Sequence, residues 1–353
     1  MVEVINGIQQ VGIGVKDTKT VFNWYRKHLG FDVLLFKDEA IASLMTKYTN
    51  GKSEKRDAYL SLNLVGGGGL EIWQFKDRTP TAPNQEIVPG DLGIYAMKIR
   101  CKNLAIMHKY LSQIGVLNLT DIKESRKRSS YFYFDDPFGN KVQMVEDSYC
   151  FSEQPSINGG VMGAVIGVSN MERSIDFYKN MLGYTEVLYD DITYLDQLSG
   201  STAKQQYRKV ILGHHRKKIG GFGDLLGPTQ LELIQMLQGT PTKIYKDRLW
   251  GDLGYIHLCF DVQGMDALRE KAKVLKNPFT VDSSNSFDMG DAAGHFCYVE
   301  DPDGTLIELV ETHKVPIVKS LGIYLNLKKR DPYKTLPKWL VKSLGLQKVR
   351  KNI

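Results

Sequence analysis

The chain repeats itself, and a repeat of this length constrains the fold more than any other feature of the sequence. Residues 11–31, VGIGVKDTKTVFNWYRKHLGF, match 164–184, AVIGVSNMERSIDFYKNMLGY; Val15, Tyr25, Leu29 and Gly30 recur as Val168, Tyr178, Leu182 and Gly183. LEIWQF at 70–75 answers LELIQM at 231–236, and GDLGIYAMKI at 90–99 answers GDLGYIHLCF at 251–260. YFDDPFGNKVQMVE at 133–146 answers YVEDPDGTLIELVE at 298–311. The order is kept while the displacement grows from 153 to 161 to 165 residues, the mark of duplication followed by loop insertion. Two related domains follow, 1–150 and 158–313, with a linker at 151–157 and a separate arm at 314–353. In a chain of 353 residues each is large enough to bury a core.

Each half divides again. In the second, a strand at 161–168 precedes a helix at 171–182 that stops at Gly183, where a residue without a side chain tolerates the left-handed turn. Strand-like runs follow near 184–190, 208–213 and 230–236. Then come a strand at 254–261, a helix at 264–275, and strands near 295–300 and 305–311 joined by the tight turn Asp301-Pro302-Asp303-Gly304. Each half therefore reads as βαβββ twice, giving four modules. Alternation predicts Ile256, Leu258 and Phe260 on one face and Tyr255, His257 and Cys259 on the other. An apolar face against helices and a polar face lining a hollow predicts an α+β fold of curved mixed sheets forming cups, with helices outside.

The charge belongs to one segment. Of the net +6, the arm 314–353 carries eleven Lys/Arg against Asp331 alone, or +10, which leaves the body at −4. The body thus has no basic stripe for a nucleic-acid backbone, and no nucleic-acid partner is expected. No apolar run approaches the roughly 20 residues that cross a bilayer. The first residues, MVEVINGIQQ, lack the pattern of a secretory signal. Cys101, Cys150, Cys259 and Cys297 form no C-x-x-C pair and read as reduced thiols, so the expected location is cytoplasmic.

A strand, a helix ending in (F/W)Y-x-x-x-LG(F/Y), then LE(I/L) and DPDG-x-x-IEL together resemble the vicinal oxygen chelate superfamily, which includes glyoxalase I, methylmalonyl-CoA epimerase, extradiol dioxygenases and bleomycin-resistance proteins. The resemblance covers about residues 5–148 and 158–312 and specifies the fold; the family runs several chemistries on one scaffold. It implies four inward strand positions per half as metal ligands. In the second half these fall on Gly163, Glu232, His257 and Glu308; in the first on Gln10, Glu71, Ala96 and Gln143. One imidazole and two carboxylates with open positions suit a catalytic metal, so the resemblance implies a divalent ion (Fe, Zn, Mn, Ni or Co) on Glu232, His257 and Glu308. The first half, with amides and Ala96, reads as a degenerate domain. Whether the halves pair within one chain or across a homodimer is left open.

The implied activity is a glyoxalase- or epimerase-like lyase or isomerase. It would move a proton on a small oxygen-chelating substrate, with Glu308 as ligand or catalytic base. An extradiol-type dioxygenase is the first alternative, weakened by Gly163, which leaves the two-His-one-carboxylate set short of a histidine. A non-catalytic binding or sequestration protein is the second. Tyr255, Cys259, His295, His214 and Arg216 are candidate substrate contacts. The loop 212–227, with His214, His215, Arg216, Lys217 and Lys218, is a candidate lid over an anionic substrate. The arm reads as an amphipathic helix, with Leu336, Leu340 and Leu344 spaced by four beside Trp339 and lysines at 334, 338 and 342. It is expected to lay that stripe across its own domains rather than on a membrane surface.

Overall fold

The computed structural model describes all residues except 1, 124–128, 195–204, 217–218, 285–286, 289–292, 319–322 and 329. Four modules are present, as the repeat predicts, although among the described residues of the second the strand before β6 is reduced to isolated bridges at Leu117 and Lys123. The first contains β1 (Val4–Gly14), α1 (Thr18–Leu29), β2 (Val33–Ile41), β3 (Lys55–Leu62) and β4 (Gly69–Phe75). The second contains β5 (Gly93–Cys101), α2 (Leu104–Gln113), β6 (Tyr131–Asp135) and β7 (Lys141–Glu146). The third holds β8 (Asn158–Val168), α3 (Met171–Leu182), β9 (Glu186–Tyr194), β10 (Gln206–Gly213), a single turn α4 (Gly223–Leu226) and β11 (Gln230–Met236). The fourth holds β12 (Gly254–Gln263), α5 (Met265–Val274), β13 (Val281–Asp282), β14 (Phe287–Asp288), β15 (Ala293–Glu300) and β16 (Leu306–Thr312).

The modules do not pair as the sequence halves suggest. One sheet runs β13-β15-β16-β12-β1-β4-β3-β2, so it joins the first module to the fourth; β14 pairs with β15 at its margin. The other runs β6-β7-β5-β8-β11-β10-β9 and joins the second module to the third. Each seam is antiparallel, β1 against β12 and β5 against β8. Both sheets are completed inside one chain, and each cup draws strands from both halves of the duplication.

The recurring residues explain themselves locally. The Asp17 side chain caps α1 by accepting from Thr20 N at 2.7 Å, and Asn170 caps α3 in the same way from Arg173 N at 3.0 Å. Gly30 and Gly183 end these helices at φ 79° and 72°, values that cost a side chain energy and glycine nothing. The repeated tyrosines and aspartates meet: Tyr25 Oη donates to Asp136 at 2.6 Å, and Tyr178 Oη to Asp301 at 2.9 Å. Each helix is thereby tied to the β-turn of the other module in its own half, through a buried polar bond left satisfied. The main core, with Phe22, Tyr25, Met97, Phe132, Ile166, Tyr178, Leu258 and Phe260, lies between the sheets and these helices.

The arm docks on the protein as expected, but as a short helix α6 (Lys338–Lys342) and a 3-10 turn at Ser343–Gln347 rather than one long helix. Leu336, Leu340 and Val341 bury against Val33, Leu62, Leu64, Phe151 and Leu225. Lys348 Nζ reaches Asp32 at 2.9 Å, while Trp339 points outward. Among the described residues no helix is long and apolar enough to cross a membrane.

Candidate metal centre

Four adjacent strands, β16, β12, β1 and β4, place the site. Residues beside each other in register share a face of a sheet. Glu308 sits beside Cys259, Cys259 beside Gln10, and Gly12 is flanked by His257 on one side and Glu71 on the other. Gln10, Glu71, His257 and Glu308 therefore converge from four strands. His257 Nε2 is 3.1 Å from Glu71 Oε2 and 3.3 Å from Glu308 Oε2. Gln10 Nε2 lies 3.2 Å from Glu71 Oε2 and 3.4 Å from Glu308 Oε2. All four residues are buried.

The expected set is thus regrouped, with a physical reason. His257 and Glu308 are where the repeat places them, but Glu232 is not with them. It lies on β11 in the other sheet, and Glu71 of the first half takes its place, because the first module and not the third is paired with the fourth. The amide at Gln10, dismissed with the first half, completes the group.

The surroundings hold the imidazole in one pose. Tyr298 Oη is 3.2 Å from Nδ1, which leaves Nε2 facing the carboxylates. Trp250 stacks on the ring at 6.4 Å and an interplanar angle of 18°. On the other side Gly12 gives way: a Cβ there would come within 2.5 Å of the imidazole. Trp73, Phe75, Ile256 and Tyr298 continue an apolar wall around the group. Replacing Gly12 with alanine is expected to push His257 off its strand and weaken divalent-metal binding about 10–100-fold, as loss of a supporting contact typically does. Isothermal titration with Zn²⁺ or Mn²⁺ tests this; unchanged affinity would mean that the ring carries no metal.

Electrostatically the group is built for a cation. Burial raises the Glu308 pKa and the nearby Glu71 carboxylate adds to the rise, while His257 opposes it. For His257, burial works against the charged ring, but Glu308 and Glu71 outweigh it and raise its pKa. Two carboxylates crowded into a dry pocket favour whatever positive charge sits between them. Gln10 Oε1 is buried without a partner, and His257 Nε2 makes no well-directed hydrogen bond although both carboxylates are within reach. Gln10 turns its Nε2 to the carboxylates; with the amide rotated half a turn, its oxygen would join the imidazole nitrogen and the two carboxylates in a donor set that suits a divalent metal.

The second cup has the matching positions and a different filling. Gly163, Glu232, Ala96 and Gln143 stand where Gln10, Glu71, His257 and Glu308 stand in the first. Lys98, the counterpart of Cys259, extends Nζ to Glu232 Oε2 at 2.6 Å, and Lys209 binds the other oxygen. Gly163 allows this, since a Cβ there would meet the Lys98 chain at 3.2 Å and the Gln230 carbonyl still closer. The lysines were not singled out from sequence. The signal was available: each is a lysine set among apolar strand residues with an arginine close by, in AMKIR and YRKVIL.

Of the candidate substrate contacts, Cys259 adjoins the first cup, where its thiol interacts with Glu308. The other four do not. A bulge between β1 and β12 skips Ile256, which puts Tyr255 on the opposite side from His257; it is buried in the main core and donates to the Lys141 carbonyl at 2.7 Å. Ile256 accordingly joins the cup wall. His214 packs at a tilt against Tyr184 just beyond the end of β10, in the other sheet. Arg216 donates to the Gly223 carbonyl at 2.6 Å and is fixed as a loop brace; Lys217 and Lys218 lie outside the described residues. His295 lies on the convex face of the first sheet, away from the cup.

Paired modules with ligand-type side chains on adjacent strands define a cup-shaped architecture with a candidate ligand group at its base. The chain belongs to the Glyoxalase/Bleomycin resistance protein/Dioxygenase superfamily, whose family model matches residues 7–144 and 161–309. Glyoxalase I from Zea mays is similar in structure at a TM-score of 0.54 and 15% identity, with 88% of this chain and 92% of that chain covered. A variant of that enzyme gives 0.55 at 16% identity, over 88% and 92% of the two chains. A candidate dioxygenase from Bacillus subtilis gives 0.54 at 13% identity, covering 88% of this chain and 86% of its own. These identities show a shared fold. No curated protein sequence matches.

Proposed function

We propose that the chain is a metal-dependent lyase or isomerase of the glyoxalase or epimerase kind, acting by proton transfer on a small oxygen-chelating substrate in the cup formed by the first and fourth modules. The observation that carries this reading is the convergence of Gln10, Glu71, His257 and Glu308 on one buried point. These four residues would hold a divalent ion, which when bound supplies polarisation of the substrate's oxygens. Glu308 supplies the carboxylate that takes and returns a carbon-bound proton; burial raises its pKa, His257 opposes the rise and Glu71 adds to it. Tyr298 orients His257, and the wall of Trp73, Phe75 and Trp250 keeps water from the proton in transit.

The test has two measurements on the full chain. Metal analysis after purification without chelator is expected to find a bound divalent ion. Incubation in deuterated water with 2-oxo aldehyde adducts of thiols, or with 2-substituted acyl thioesters, is expected to exchange the carbon-bound proton next to the carbonyl. Iron with oxygen uptake on catechols and no exchange would replace this reading with the ring-cleaving dioxygenase. No metal retained or taken up would replace it with a sequestration protein.

A further inference from the structure

On the convex side of the first sheet, opposite the cup, a second group of donors converges. Phe296 and Tyr298 alternate with His295 and Cys297 along β15; Tyr298 reaches into the cup to His257, so His295 and Cys297 face the other way. Asp282 of β13 is the register partner of Cys297. His295 Nε2 is 2.6 Å from Asp282 Oδ1 and 3.3 Å from Cys297 Sγ. One nitrogen, one oxygen and one sulfur thus lie within 4.8 Å of one another.

We infer that Asp282, His295 and Cys297 form a second, structural metal site that takes a borderline-soft divalent ion of the Zn²⁺ class. Tetrahedral zinc takes mixed N, O and S donors at bonds of about 2.0–2.3 Å, which separates the donors by roughly 3.3–3.7 Å. The nitrogen and sulfur already stand 3.3 Å apart. Only Asp282 Oδ1, which also accepts from Ser284 N at 2.8 Å, must draw back from the histidine to open that spacing. Arg269 of α5 holds the other carboxylate oxygen, with Nε at 3.0 Å and Nη2 at 2.8 Å from Oδ2, which leaves Oδ1 aimed at the histidine. Such an outer partner orients a metal-binding carboxylate. On binding, the metal–sulfur bond replaces the thiol S–H bond, and the proton goes to solvent. A cavity of about 420 Å³ lined by His295, Glu311, His313 and Asp266 borders the group and gives the fourth ligand, a water, a route in. The ion would pin β13 to β15 and α5 at the margin of the sheet, where the strand pairing is only two residues long.

Co²⁺ titration of the metal-free full chain tests the inference, because thiolate ligation to cobalt produces a near-ultraviolet charge-transfer band that oxygen and nitrogen ligands do not. The band is expected in the unaltered chain and in Glu71→Gln, which disables only the cup. It is expected to vanish in Cys297→Ser and to need at least tenfold more cobalt in Asp282→Asn. Cys259→Ser, which alters the thiol beside Glu308, is expected to keep it. Circular dichroism of each variant confirms folding, and Asp282→Asn, at the partly exposed position, stands in should Cys297→Ser misfold. A band absent from the unaltered chain, kept in Cys297→Ser, or lost in Cys259→Ser alone would overturn the inference. A band lost in Cys259→Ser alone would place the cobalt in the cup, whereas the cup's own failure is read separately, from metal affinity in Glu71→Gln.

Discussion

Replacing Glu71 with glutamine is expected to weaken divalent-metal binding in the cup by at least about 100-fold, while Glu232→Gln is expected to leave it unchanged. Loss of an outer-shell partner already costs 10–100-fold in affinity, and Glu71 is placed as a direct ligand. Its Oε2 lies 3.1 Å from His257 Nε2 and accepts from Gln10 at 3.2 Å. Glutamine keeps the shape but removes one of the two negative charges that offset the ion. Glu232 occupies the equivalent position on β11, yet it belongs to the other sheet and faces two lysines. Mn²⁺ or Zn²⁺ titration of both variants, read as ions bound per chain and as affinity, separates the two pairings. Loss of binding in Glu232→Gln with retention in Glu71→Gln would mean that the third and fourth modules share the site, and the strand order described here would not survive it.

That contrast also shows what the sequence made legible. The duplication, the βαβββ modules and the cup-facing positions were all readable, since they rest on local periodicity, helix stops at Gly30 and Gly183, and turns at Pro137 and Pro302. Which modules share a sheet is not a local property. Nothing in the helix or strand periodicity distinguishes β1 beside β12 from β8 beside β12, because both first strands end in Ile-Gly-Val and both seams are antiparallel. Function could have decided the pairing where propensity could not. Joining the first module to the fourth gathers Gln10, Glu71, His257 and Glu308, a complete ligand set. The remaining positions, Gly163, Glu232, Ala96 and Gln143, then keep one carboxylate and one amide and no imidazole. Tyr255 fails for a different reason: strict alternation assumes an unbroken ladder, and one bulge reverses every side chain beyond it.

Glu232→Gln should instead cost stability, by about 3–5 kcal/mol, the usual penalty for removing one partner of a buried ion pair. Its side chain and those of Lys98 and Lys209 are all 2% exposed or less. The carboxylate accepts from Lys98 at 2.6 Å, from Lys209, and from Gln143 Nε2 at 3.4 Å. A neutral amide in its place removes the carboxylate charge that Lys98 and Lys209 face in a dry cup, where the Tyr131 ring lies under Lys209 and cannot balance a full charge. Two lysines brought to one glutamate carry the charge that a divalent ion would carry in the first cup under the proposed reading. Urea denaturation followed by tryptophan fluorescence measures the loss, and the double replacement Lys98→Met with Glu232→Gln is expected to recover part of it by removing one stranded charge. A cost within about 0.5 kcal/mol, the range of an ordinary surface substitution, would show that water reaches these groups and that the second cup is open rather than plugged.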